Sequence, residues 1–173
     1  MKTLIASLFA AAAVLPAAAQ QDATASANMV TAEEQEGGTV SFRQTRSGML
    51  HVIVEMTGLP PGPHGFHVHE TGECDAAGGF ESAGGHLAAG KEHGIDAEGG
   101  PHPGDFPNVH VGQDGVLKVE FFTDRLTLGE GEAPLMDDDG SAVLIHSDPD
   151  DYSSQPSGEA GDRIACGVIR QPS

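Results

Sequence analysis

Residues 70–108 carry no strand or helix pattern, and that long connection constrains the fold more than any other feature of the chain. It is rich in glycine, and a structureless stretch of that size inside a compact domain needs something to tie it down. The ties stand in the sequence itself. Cys74 lies near its start, and His86, His93, His102 and Asp105 lie within it. Imidazole and carboxylate are ligands of zinc and copper, so bound metal and a cross-link would supply the order that apolar burial cannot. A second, shorter connection runs over residues 147–163.

Around these connections the chain alternates short β-type runs with turns. Val40 to Arg43 and Met49 to Met56 alternate apolar and polar residues on either side of a Ser47-Gly48 turn. Leu59-Pro60-Pro61-Gly62 turns the chain into a strand over residues 65–70. Val109 to Val111 and Val116 to Phe122 flank Gly112-Gln113-Asp114-Gly115, a hairpin signal, and Ala142 to His146 and Ile164 to Ile169 complete the set. No stretch keeps a helical stripe. The pattern predicts an all-β sandwich or barrel with two long functional loops.

The first residues read differently. Met1-Lys2, an apolar run from Leu4 to Leu15 and Ala17-Ala18-Ala19 predict a signal peptide over residues 1–19, too short to span a bilayer. Residues 20–173 would then form one exported domain, periplasmic or secreted. Export favours a disulfide between the only two cysteines, Cys74 and Cys166, over two free thiols. The formal net charge of −18 argues against nucleic acid or anionic lipid as partners, and no membrane insertion is expected after the signal is removed. The acidic runs at Glu33–Glu36, Glu130–Glu132 and Asp137–Asp139 read as solvated turns.

His67 and His69 stand two apart on a predicted strand, so their rings project from one face about 7 Å apart. His146, at the end of another strand, can supply a third nitrogen from a neighbour. Three or more imidazoles without thiolate suit Cu(II) or Zn(II). His86, His93, His102 and Asp105 make a second, chemically complete tetrahedral set. Seven candidate ligands are too many for one ion and suit two. His64, His51 and His110 receive structural or surface readings.

Four segments carry a resemblance. Gly65-Phe66-His67-Val68-His69-Glu70, Gly84-Gly85-His86, His102-Pro103-Gly104-Asp105 and Gly161-Asp162-Arg163-Ile164-Ala165-Cys166-Gly167 resemble the signature segments of the copper/zinc superoxide dismutases, in their secreted bacterial branch. The similarity runs from about residue 27 to 170. It implies an eight-stranded Greek-key β-barrel. It implies one copper held by His67, His69, His86 and His146, and one zinc held by His86, His93, His102 and Asp105. His86 is then counted twice, as a bridge. It also implies that Cys74–Cys166 is the family disulfide, that Arg163 holds the anion, and that Asp150 links a copper histidine to a zinc histidine from behind.

The implied activity is an antioxidant one outside the cytoplasm: dismutation of superoxide by copper cycling between Cu(II) and Cu(I). One superoxide leaves as dioxygen, and a second gains an electron and two protons and leaves as hydrogen peroxide. The resemblance makes Arg163 and His86 the catalytic residues, and it covers both monomers and homodimers. A non-catalytic copper-binding or copper-delivery domain on the same fold is the alternative. A cupin-type metalloenzyme has no place for the Gly161 to Gly167 segment, and a zinc deaminase needs a Cys-x-x-Cys that is missing here. Two departures stand out. The stretch Leu87 to Glu92 is one residue shorter than usual and lacks the common Asn-Pro, and Glu159 and Asp162 stand where uncharged residues are common. Arg163 and Lys91 are expected to create a local attractive field for the anion within a repulsive surface.

Overall fold

A computed structural model describes residues 23–172, so the expected signal peptide at residues 1–19 lies outside the described residues. The strands are β1 (Thr24–Thr31), β2 (Glu36–Gln44), β3 (Leu50–Met56), β4 (Gly62–His64), β5 (Phe66–His69), β6 (Val109–Val111), β7 (Leu117–Thr123), β8 (Ala142–His146) and β9 (Arg163–Val168). A single 3₁₀ turn, Glu81–Ala83, sits in the first long loop. Seven strands form one antiparallel sheet in the order β5-β8-β9-β1-β2-β3-β7, and β4 pairs with β6. β4 and β5 are one strand interrupted at Gly65, so the expected eight strands are present in nine segments. The interruption lets one strand serve two neighbours, β6 along its first half and β8 along its second. With β6 leading directly into β7, the sheet curls round and closes as a barrel.

Alternation explains the core. β3 turns Leu50, Val52, Val54 and Met56 inward, and β2 contributes Val40 and Phe42. Phe66, Phe106 and Phe121 pack together with ring centroids 5.2–5.7 Å apart, Phe66 stacked on Phe121 and Phe106 tilted against both. β1 escapes the sequence pattern because its inward residues include Ala25 and Ala27, which are too small to mark a strand. A third connection, residues 124–141, seals one side with Leu126, Leu128, Ala133 and Leu135, all buried.

β5 and β8 are buried on both faces. Phe66, Val68, Val143 and Ile145 belong to the barrel core, while Leu144 and Ala142 pack outside it with Phe80, Ala83 and Cys166. That outer packing is the first long loop lying back on the barrel wall. His67 pairs in register with Leu144 and His69 with Ala142, so the histidines lie on this outer, loop-covered face.

Candidate metal centre

β5 is an end strand of the main sheet, and the first long loop fills its free edge. Val68 donates to Gly104 O (2.9 Å) and accepts from Leu87 N (2.8 Å), while Glu70 donates to Gly85 O (3.0 Å). These bonds set His86 opposite His69 and Asp105 opposite His67 as isolated bridges. Gly104 has to be glycine here, because a Cβ would collide with the Val68 carbonyl. A register shift between Ile145 and His146 re-aims His146 and sets it opposite Arg163 on β9.

The result is two buried groups that share one ring. The ligand atoms of His67, His69, His86 and His146 all lie within 4.8 Å of one another, and so do those of His86, His93, His102 and Asp105. Asp105 stands 3.0 Å from His86 Nδ1, 3.2 Å from His102 Nδ1 and 3.2 Å from His93 Nδ1. His69 Nε2 and His146 Nε2 are 3.4 Å apart. Four ligands about 2.0–2.1 Å from a central ion at tetrahedral angles are separated by about 3.3–3.4 Å, the scale of these spacings.

Hydrogen bonds behind the rings fix which nitrogen faces inward. His67 Nε2–H donates to Asp150 Oδ2 (2.8 Å) and His93 Nε2–H to Asp150 Oδ1 (3.0 Å), which leaves each Nδ1 as a lone pair. His69 Nδ1–H donates to Gly84 O (3.0 Å), leaving Nε2 free to face His146. His67 Nδ1, His86 Nε2, His93 Nδ1 and His102 Nδ1 are buried without a hydrogen-bond partner. For His93 the conflict is sharp, since its unprotonated nitrogen faces a carboxylate oxygen 3.2 Å away. Two acceptors facing each other in a dry site call for a cation between them. The donor set therefore fits a metal ion at each group.

Charge agrees with that reading. Burial first, and then the neighbouring rings, push His67 and His69 well below the usual imidazole range and bring His146 down to about 4. His102 is lowered mainly by burial as well. Neutral imidazole is the form that binds metal. Burial pushes the Asp105 carboxyl up, but the hydrogen bond from the His86 ring and the Gly94 amide outweigh it, with the neighbouring His93 and His102 rings acting in the same direction. Asp105 is held well below the usual carboxylate range.

Arg163 extends from the start of β9. Its guanidinium donates to Phe80 O (2.6 Å) and Gly84 O (2.7 Å), and its charge disfavours protonation of both His69 and His146. The Cys74–Cys166 disulfide ties the segment supplying those carbonyls to β9 (Cα–Cα 5.8 Å). Lys91 is placed elsewhere. It lines a groove with Pro101, Pro103, Asp124, Arg125 and Glu132, and no ligand-group residue or Arg163 lines that groove. His64 is spent on the carbonyls of Pro60 and His146, and His51 contacts Arg43, Glu120 and Phe122.

Sequence reasoning overlooked several supports. Asn108 clamps the Asp150 backbone at both N and O (2.8 Å each). Gln155 brackets the backbone of His93 in the same way, and Arg125 Nη2 donates to Asp105 O (2.6 Å). At Gly158 (φ +69°) a Cβ would overlap the Asp150 carboxylate and the His93 ring. Only folding brings these residues to their partners, and no local motif announces them.

A family model described as copper/zinc superoxide dismutase matches residues 36–169. Superoxide dismutase [Cu-Zn] 2 of Aquifex aeolicus is 41% identical over 173 residues, spanning 98% of this chain and 100% of its own. Superoxide dismutase [Cu-Zn] of Caulobacter vibrioides is 40% identical over 151 residues, spanning 85% and 86%. A solved double mutant of a SOD-like protein from Bacillus subtilis superposes with a TM-score of 0.79 at 38% identity, covering 83% of this chain and 95% of that one.

Proposed function

The chain belongs to the copper/zinc superoxide dismutase family, and from that premise we infer that it converts superoxide to dioxygen and hydrogen peroxide. The observation that carries this reading is the pair of buried ligand groups joined by His86, with a fixed cation, Arg163, beside the first. His67, His69, His86 and His146 would hold copper, and His86, His93, His102 and Asp105 would hold zinc. When bound, copper supplies a one-electron redox couple and zinc a redox-inert Lewis acid.

The side chains do the rest. Arg163 offers an anion a positive charge whose position is set by two backbone carbonyls, so little reorganisation is needed on binding. His86 Nε2, buried and without a hydrogen-bond partner, is placed to take up a proton and pass it to the reduced anion. The other ring nitrogen, Nδ1, faces the second group, 3.0 Å from the Asp105 carboxylate, where zinc would hold it. Asp150 orients one ring of each group at once.

The Cys74–Cys166 disulfide and the signal-like first residues support action outside the cytoplasm, in a periplasm or the medium. Among the described residues no helix is long and apolar enough to cross a membrane. The exposed Ile53 and Phe122, on the outer faces of β3 and β7, would suit a homodimer contact. The likeness to a protein named only as SOD-like means that the ligand set, rather than the fold, has to carry the function. Metal analysis of the purified protein beside a superoxide-removal assay tests it. One copper and one zinc per chain, with activity lost on chelation, is expected; full metal loading without turnover would favour a copper-delivery role.

A further inference from the structure

We propose that Glu81 is a built-in brake on anion access, partly cancelling the positive charge that Arg163 presents to an incoming superoxide. The proposal rests on the dismutase reading only for the identity of the natural anion. Glu81 opens the 3₁₀ turn Glu81–Ala83, flanked by the two carbonyls that hold Arg163, those of Phe80 and Gly84. Its Oε2 stands 3.6 Å from Arg163 Nη2. That is beyond hydrogen-bond reach but close enough for the two charges to act together on anything outside.

Positioning does not explain the carboxylate. Nη1 and Nη2 already donate to backbone oxygens at 2.6 and 2.7 Å, so Arg163 keeps its place without Glu81. The turn itself is held by the buried Phe80 and Ala83, which pack with Leu144 and Cys166, and by the disulfide. The Glu81 side chain is 77% exposed against 15% for Arg163, so the carboxylate stands on the solvent side of the cation. Among the described residues it is the one carboxylate within ion-pair distance of Arg163.

An anion drawn to Arg163 therefore meets a neighbouring negative charge, in a chain whose net charge is already −18. A unit charge about 6 Å from the anion in water changes the encounter about threefold at low salt. Screening erases most of that near 0.5 M salt, where the Debye length is only about 4 Å.

The test compares the copper- and zinc-loaded protein with Glu81→Gln and Glu81→Lys, each at measured metal content. Two readouts are used across ionic strength: kcat/KM for superoxide, and azide affinity from the visible copper absorption. Glu81→Gln should raise kcat/KM and tighten azide binding about threefold near 10 mM ionic strength. Glu81→Lys should do so about tenfold, and both gains should shrink toward unity at 0.5 M. Unchanged values in both variants, or losses that persist at every salt concentration, overturn the brake; persistent losses would instead make Glu81 a positioning residue for Arg163. Azide also separates the two ideas. A wild-type protein that binds azide but does not consume superoxide refutes the dismutase reading, while the azide comparison still decides Glu81.

Discussion

Replacing Asp150 by asparagine changes almost no volume, yet it should unbalance the two metal groups in a specific direction. Asp150 Oδ1 accepts from both His93 Nε2 (3.0 Å) and the Tyr152 amide (2.7 Å), whereas Oδ2 accepts from His67 Nε2 alone (2.8 Å). An asparagine has one acceptor oxygen, and two donors against one place it on the His93 side. Its NH2 then confronts the N–H of His67. The conflict is relieved when His67 moves its proton to Nδ1, the atom that would face copper, which removes a ligand lone pair. Loss of such a supporting hydrogen bond weakens a metal site about 10–100-fold, or about 1.4–2.7 kcal/mol. Competition titration against chelators should show copper affinity reduced by that factor in Asp150→Asn and zinc affinity changed less than about threefold. Preferential loss of zinc, or no change at either site, would refute the argument from donor counting.

Other consequences are accessible to simple measurements. The metal-free protein should lose stability as pH falls from about 6.5 toward 4, because the unfolded chain binds a proton at His146 that the folded chain, with its value near 4, refuses. That ring alone accounts for about 3 kcal/mol, His67 and His69 act in the same direction, and urea titrations at the two pH values read the sum. Reduction of Cys74–Cys166, which closes a sequence separation of 92, should cost about 4.6 kcal/mol of unfolding free energy in the chain-entropy model. It should also lower azide affinity at the loaded copper group, because the carbonyls that hold Arg163 are no longer tied to β9. Gly158→Ala places a methyl against Asp150 and His93 at a positive φ, so zinc affinity and melting temperature should fall together; retention of both would contradict the tight packing behind His93.

Much of the site was legible because metal ligands are few in kind. His67-x-His69 could be placed on a strand, and the glycine-rich loop with three histidines and Asp105 could hardly be ordered in any other way. The barrel was legible wherever large residues alternate, as in β3. It was obscure at β1, where Ala25 and Ala27 face the core, and at Gly65, where one strand changes neighbours. The loop over residues 124–141 gave no warning that its leucines close the barrel. The supports behind the ligands were obscure for another reason. Asn108, Gln155 and Gly158 act on residues far along the chain, and their roles exist only after folding.

The joined centre depends on His86 serving two groups at once, and paired metal titrations of three variants test this most directly. His86→Ala should weaken copper and zinc binding together, His69→Ala copper alone and His93→Ala zinc alone. If His86→Ala weakens only one metal, His86 is not shared, and the two sites do not form the joined centre described here.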